Sequence, residues 1–393
     1  MNLPFSSAFD PGGDLEALLA SVPARPAVFA LFPEDRAGAA GAPYLGRTRD
    51  LRRRLARLLS PPRASSRMLN LREVVRHIEY QPVGSSFEAQ WWLYLLSKSY
   101  DPEHYRQRLR LRPPALLKLN LAQRFPRCYP TRRLARDGSL YYGPFPTRVA
   151  AERFAAEFLD FFKIRRCVED LAPDPAHPGC IYSQMHMCLA PCFAGCTDHE
   201  YQAEVSQVVQ FLDAQGRPLL RALEGERARA SEALEFELAA KIHRRLEKIH
   251  EVLRQRPELV RNLRDLHGIV VQPAAEPRSV AFFRLAAGEL RGPAALSLDE
   301  NVPSPVPLDE QLHTLLGSLC PEAAPAAAPS PTVNAPAPQR HPAPLPPWEH
   351  LSLLARWYYS SFRQGEIVML DAQQSIPHAR LIRLCRKVLA PAV

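Results

Sequence analysis

Apolar positions recur along this chain with several different periods, and each period predicts its own element. From Pro26 the run AVFALF, a Gly/Ala-rich loop and then APYLG read as two short strands joined by a turn. After Gly46 the period changes: Leu51, Leu55, Leu58 and Leu59 recur at helical spacing, while Arg47, Arg49, Arg52, Arg53, Arg54 and Arg57 occupy the remainder. That pattern predicts a helix with an apolar stripe and a strongly basic face. Further on, LRPPALLKLN and SLYYGPFP read as strands and turns. VAAERFAAEFLDFFKI reads as an amphipathic helix with Phe154, Phe158, Phe161 and Phe162 in a core, running into Cys167. Helical signals dominate residues 200–256, divided by Pro218, and Leu234, Leu238, Ile242, Leu246, Ile249 and Leu253 fall along one face with dense charge opposite. A helix from Tyr201 to Leu212 is the expected antiparallel partner. Beyond Arg261, HGIVVQP, RSVAFFRLAAGELRG and AALSL predict a β-meander, and WEHLSLLARWYYSSFRQGEIVMLD predicts a helix followed by a strand. The class is therefore α+β, in several modules.

Composition adds limits to this picture. A chain of 393 residues with 46% hydrophobic content has room for two to four cored modules. The exception is residues 321–347, so rich in Pro and Ala that a semi-stiff linker is expected. Fifty Lys and Arg against 41 Asp and Glu give a formal charge of +9, which favours a polyanionic partner without deciding between nucleic acid and a merely basic surface. Six arginines within residues 47–57, with Asp50 as the one acid, favour phosphate contact more directly. Residues 1–25 lack the apolar core of a signal peptide and read as a leader. No window approaches the roughly 20 apolar residues that cross a bilayer. A cytoplasmic protein without membrane contact is expected.

Five of the eight cysteines lie in the thirty residues 167–196, where Pro and Gly interrupt every possible helix. Cys167, Cys180, Cys188 and Cys192 are separated by twelve, seven and three residues, and four thiolates are the usual complement for tetrahedral zinc or an iron-sulfur cluster. The irregular spacing favours a 4Fe-4S cubane, whose corners can be reached separately. Zinc is the alternative, and free or disulfide-paired cysteines are the plain one. Cys196 is a spare or a substitute ligand.

The ordered set GPFP, IRRC, CLAPC and LEFELAAKI resembles the middle of the UvrC family of bacterial excinuclease subunits, over roughly residues 26–260 with a fainter continuation. The resemblance implies a 4Fe-4S cluster on Cys167, Cys180, Cys188 and Cys192. It also implies a UVR hairpin that docks on UvrB, with Leu234, Phe236, Leu238, Ile242 and Leu246 as partner-binding residues. The opening β-β-α unit resembles the family's GIY-YIG nuclease module, in which Tyr44 and Arg54 match catalytic positions and Arg47, Arg49, Arg52, Arg53 and Arg57 would contact DNA. Three parts depart from the pattern. Ala27-Val28-Phe29 stands where the first signature ends in tyrosine, so Phe29 lacks the hydroxyl. Leu93 falls where the metal-binding glutamate belongs, on a helix whose Trp91 and Trp92 read as core. Tyr105 or Arg106 replaces a downstream asparagine. Leucine offers a hard cation no oxygen, and neither Glu88 nor Glu103 is placed to substitute.

These readings set the expected organisation. It comprises a leader (1–25), a GIY-YIG-like domain with a small mixed sheet (26–110), a cysteine-cluster region of α/β character (111–200) and a UVR hairpin (201–260). A β-rich region (261–320), the linker (321–347) and a helix-strand segment (348–393) complete it. The family's second nuclease centre and its helix-hairpin-helix motifs are not found before Val393, and Asp371 reads as a surface acid. The leading expectation is a DNA-binding, UvrB-docking repair protein without incision activity. An active single-site endonuclease needing a divalent metal such as magnesium, or a redox-responsive adaptor, are the alternatives.

Overall fold

A computed structural model describes residues 2–33, 42–61, 69–299, 306–319, 345–371 and 373–390. The expected Pro/Ala-rich linker lies outside the described residues except for 345–347, as does most of the Gly/Ala-rich loop. The described chain is α+β and carries three four-stranded sheets whose pairings are all antiparallel.

The first module contains β1 (Phe5–Ala8), α1 (Leu15–Ser21), β2 (Ala27–Phe32), β3 (Tyr44–Thr48), α2 (Leu51–Leu59), β4 (His77–Pro82), α3 (Ser86–Tyr100) and the short α4 (Tyr105–Arg108). Its strand order is β1-β4-β2-β3. Two expectations change here. Residues 1–25 are no separate leader, because β1 pairs with β4 and the N–H of Leu3 donates to Glu79 Oε2 at 3.0 Å. The sheet is antiparallel throughout rather than mixed, since each added strand reverses on its neighbour.

Every residue of β2 is buried. The reason is that it is an interior strand covered on both faces: Phe29 and Leu31 pack with α2, while Val28, Ala30 and Phe32 pack with α3. Helix α3 is itself apolar nearly all round, the signature of a buried helix. Its Ala89, Leu93 and Leu96 meet the first sheet, and Phe87, Trp91 and Tyr94 meet the third module.

The second module comprises β5 (Ala115–Leu119), β6 (Cys128–Thr131), β7 (Leu140–Phe145), α5 (Arg148–Leu159), α6 (Ile181–Gln184), α7 (Asp198–Asp213), α8 (Arg217–Glu232), α9 (Phe236–Arg254) and β8 (Arg261–Asn262). The strand order is β6-β5-β7-β8, and α5 with α7, α8 and α9 shares one core with the sheet. Helix α5 stops at Leu159 instead of running into Cys167. The N–H groups of Phe161 and Phe162 turn back to Phe158 and Leu159 in a tight i→i−3 turn that ends it.

The third module has β9 (Gly268–Pro273), β10 (Ser279–Ala286) and β11 (Glu289–Ser297) as the anticipated meander, then α10 (Leu308–Ser318), α11 (Trp348–Tyr358), β12 (Glu366–Met369) and α12 (His378–Leu389). Strand β12 adds to β9, giving the order β11-β10-β9-β12. Both faces are covered: Phe283 and Leu285 meet α3 and α11, while Val271 and Phe282 meet α10 and α12. No helix among the described residues is long and apolar enough to cross a membrane.

Candidate nucleic-acid interface, cysteine centre and docking hairpin

The basic helix α2 is started by Asp50, whose carboxylate accepts the N–H of Arg53 at 2.9 Å. With that cap in place Leu51, Leu55, Leu58 and Leu59 turn into the core, and the arginines are left on the outer side. A shallow groove is lined by Arg47, Thr48, Arg49, Asp50, Arg53, Arg54 and Arg57. Among the described residues Arg47, Arg49, Arg53 and Arg57 have no carboxylate partner. Arg52 differs from them, since its Nε donates to the Val22 carbonyl at 2.9 Å and its guanidinium is tied to the residues before β2.

Tyr44 and Arg54 lie together, with Arg54 Nη2 donating to the Tyr44 hydroxyl at 2.9 Å. The Nε of Arg54 is buried without a hydrogen-bond partner among the described residues. Phe29 lies beside Tyr44, ring centres 6.2 Å apart, and is fully buried. A Cβ on Gly46 would sit 2.6 Å from the Phe29 ring, so the glycine makes room for it.

The other family positions do not join this site. Leu93 packs with Val28, Ala30 and Leu45, whereas Phe29 and Tyr44 belong to the cluster around α2. Glu88 is buried at the start of α3, where its Oε2 accepts the Gly84 N–H at 2.9 Å. Burial lifts its pKa to about 7, although the Gly84 N–H and Trp92 favour the anion. Glu103 is exposed in a turn. Tyr105 and Arg106 both donate to Glu349 of α11, at 2.9 Å each. Trp91 is core, with its Nε1 donating to the Gly292 carbonyl at 2.7 Å, and Trp92 is half-buried.

The cysteine segment is shaped by turns. Cys180 caps α6, and Ala190 and Ala194, on either side of Cys192, both adopt left-handed backbone. Cys188 and Cys192 are buried; Cys167, Cys180 and Cys196 are half-buried, and all five thiols are free. Burial raises the Cys188 pKa against the opposing Ala190 N–H, which donates to its Sγ at 3.3 Å. Cys180, Cys192 and Cys167 are all near enough to raise it further. The four thiols therefore share one neighbourhood. No three His, Cys, Asp or Glu side chains among the described residues are arranged to hold a metal ion. Burial raises the Cys196 pKa, and the charges of Glu200 and Asp198 raise it further.

Arg165 had no assigned role in the sequence, although it stands in the IRRC run. It is 2% exposed, among the largest fully buried side chains. Its Nε donates to the Phe125 carbonyl at 2.9 Å, Nη1 to the Glu169 carbonyl at 2.7 Å, and Nη2 to Gln123 Oε1 at 2.9 Å. Nη1 also lies 3.7 Å from Cys167 Sγ. None of these partners is a carboxylate, and a buried guanidinium without a counter-charge is costly. The chemistry of the donor set, four thiols with a buried cation beside them, fits an anionic group held by thiolates.

Helices α8 and α9 form the antiparallel pair, correcting the assignment of Tyr201–Leu212 as the partner. That segment lies within α7 and joins the same core from the side. The expected continuous helix breaks at Leu234, whose φ is 60°. The Glu235 N–H reaches the Ala230 carbonyl at 2.8 Å, a Schellman-type stop with leucine where glycine is usual. The partner-binding set divides accordingly. Leu246 and Ile242 are buried in the intrachain core, while Leu234, Phe236 and Leu238 are 70%, 66% and 45% exposed at the tip. A groove of about 580 Å³ opens beside them, lined by Leu223, Ala230, Leu238 and Ile242 with charged flanks.

A family model described as "UvrC/Cho excinuclease, middle domain" matches residues 115–211. UvrABC system protein C of Carboxydothermus hydrogenoformans is 28% identical over 63% of this chain and 41% of its own length. The proteins of the same name from Proteus mirabilis and Haemophilus ducreyi are 27% and 29% identical, each over 77% of this chain and 48% of their own. The chain thus spans less than half the length of the curated relatives it matches. No solved structure matches it.

Proposed function

On the premise that this chain belongs to the UvrC family, we propose that it is a nucleotide excision repair protein that binds DNA and docks on a UvrB-like partner without cutting by itself. The observation that carries the reading is the character of the groove around Tyr44 and Arg54. It is cationic, and its one acid, Asp50, is engaged in capping α2. Metal-assisted cleavage needs oxygen ligands for a hard cation, and Leu93 and buried Glu88 supply none there. The uncommitted arginines remain suited to phosphate. The exposed Leu234, Phe236 and Leu238 would meet the partner hairpin, and Cys167, Cys180, Cys188 and Cys192 would hold a 4Fe-4S cluster. With four thiolate corners that group would brace the turns and respond to redox state, offering no open position to a substrate.

One observation favours the second reading, an active single-site endonuclease: Arg54 and Tyr44 are hydrogen-bonded to each other and Arg54 lines the cationic groove, where a scissile phosphate could lie. The test is incision of a damaged duplex with UvrB and Mg²⁺ present, alongside DNA binding across a salt series. Steeply salt-dependent binding with no cleavage supports the proposal. Cleavage abolished by Arg54→Ala would establish the nuclease instead. Salt-independent behaviour with no DNA bound would leave the redox adaptor.

A further inference from the structure

Between the first and third modules lies a cleft of about 730 Å³, bounded by Arg47, Arg49, Ser85, Ser86, Phe362 and Gln364. Its two sides are locked together at the floor. A Cβ on Gly84 would lie 2.2 Å from the Ala274 backbone, so only glycine permits that approach. Arg25 Nη1 adds a bond to the Ala275 carbonyl at 3.1 Å.

Phe362 is 91% exposed at the edge of this cleft. Its turn is nonetheless anchored on both sides: Trp357 Nε1 donates to the Gln364 carbonyl at 2.8 Å, and the Tyr359 hydroxyl donates to the Pro144 carbonyl at 2.8 Å. Arg363 is occupied as well, stacked on Trp357 and Tyr358 and paired with Glu366 at 3.1 Å. The phenyl ring is therefore held in water by a braced loop. Across the cleft, Arg47 and Arg49 have no ion-pair partner among the described residues, and Ser85, Ser86 and Gln364 line the wall between.

We propose that this cleft receives a single unpaired DNA nucleotide, with its base stacked on Phe362 and its phosphates held by Arg47 and Arg49. A flat apolar ring opposite uncommitted guanidinium groups meets the two unlike surfaces of a nucleotide, an aromatic face and an anion. Fully paired duplex offers the anions alone, because its base faces are covered by stacking. The inference rests on the DNA-binding reading and adds to it a preference for unstacked bases.

The test is fluorescence anisotropy with the full chain and two labelled probes of one sequence, a paired duplex and the same duplex carrying one unpaired thymine. The chain is expected to bind the bulged probe more tightly. Phe362→Ala should weaken that binding about 5- to 150-fold, the range for losing one base-stacking aromatic. It should leave the paired probe and the melting temperature unchanged, since the ring supports no packing. Phe362→Tyr should retain the preference. Equal binding of both probes, or a Phe362→Ala variant that loses nothing on the bulge, overturns the proposal. If both probes still weaken with Arg49→Ala, the DNA reading survives that failure. If neither probe binds, both fall.

Discussion

Replacing Arg165 tests whether the cysteine centre carries negative charge. Arg165→Met keeps most of the side-chain length but removes the cation and leaves the Phe125 and Glu169 carbonyls and Gln123 Oε1 without their donors. Orphaning buried acceptors costs about 1–3 kcal/mol each. Against this, removing a buried, uncompensated cation recovers several kcal/mol of desolvation. With no anion at the thiols these terms offset, and the variant should fall within about 2 kcal/mol of the parent. With an anionic group bound to Cys167, 3.7 Å from Nη1, the cation is compensated and its loss should cost about 3–5 kcal/mol. The assay is urea denaturation of both proteins, purified anaerobically and again after chelator treatment, followed by fluorescence and visible absorbance. The expected result is a large gap between the two proteins before chelation that shrinks afterwards. An equal gap in both states would refute the charge argument and leave Arg165 as scaffold only.

Three further outcomes are expected. Arg49→Ala, Arg53→Ala and Arg57→Ala should each reduce the slope of log affinity against log salt on duplex DNA by about 1. Arg52→Ala, already bonded to Val22, should change it less. At the hairpin tip, Phe236→Ala and Leu234→Asn should weaken capture of the terminal UvrB helical hairpin in a binding titration without lowering the melting temperature, because both side chains are exposed and asparagine tolerates the left-handed backbone. Finally, the Glu88 pKa is raised from 4.5 to about 7, so folding favours its protonated form. The stability this lends is complete below about pH 4.5 and is lost as pH rises through 7, a change of roughly 3 kcal/mol. Glu88→Gln should flatten that part of the stability-pH curve.

Periodicity carried much of the fold. The β2-β3-α2 unit, the β-meander and the α11-β12 pair all follow from spacings of apolar residues over short windows. What escaped was set by distant partners. Phe5–Ala8 is too short and polar to announce a strand and becomes one by pairing with β4. The break at Leu234, by contrast, is local: its backbone is left-handed, yet no glycine or proline announces it. At the candidate site, the sequence singled out Tyr44 and Arg54 separately, and their hydrogen bond comes from the packing of β3 against α2. Sequence reasoning missed Arg165 because a buried arginine looks like a surface one until its neighbours are known. Phe362 was equally invisible, since a single aromatic before a strand ordinarily enters a core.

Leu93 has a consequence beyond the absence of a carboxylate. It belongs to the apolar seam that joins α3 to β2 and β3, and α3 in turn joins the first module to the third. An acid introduced there would lie partly buried against the Val28, Ala30 and Leu45 seam, so some of its charge would lose water without gaining a partner. A Leu93→Glu exchange would therefore disturb the seam between α3 and the first sheet as well as adding a carboxylate.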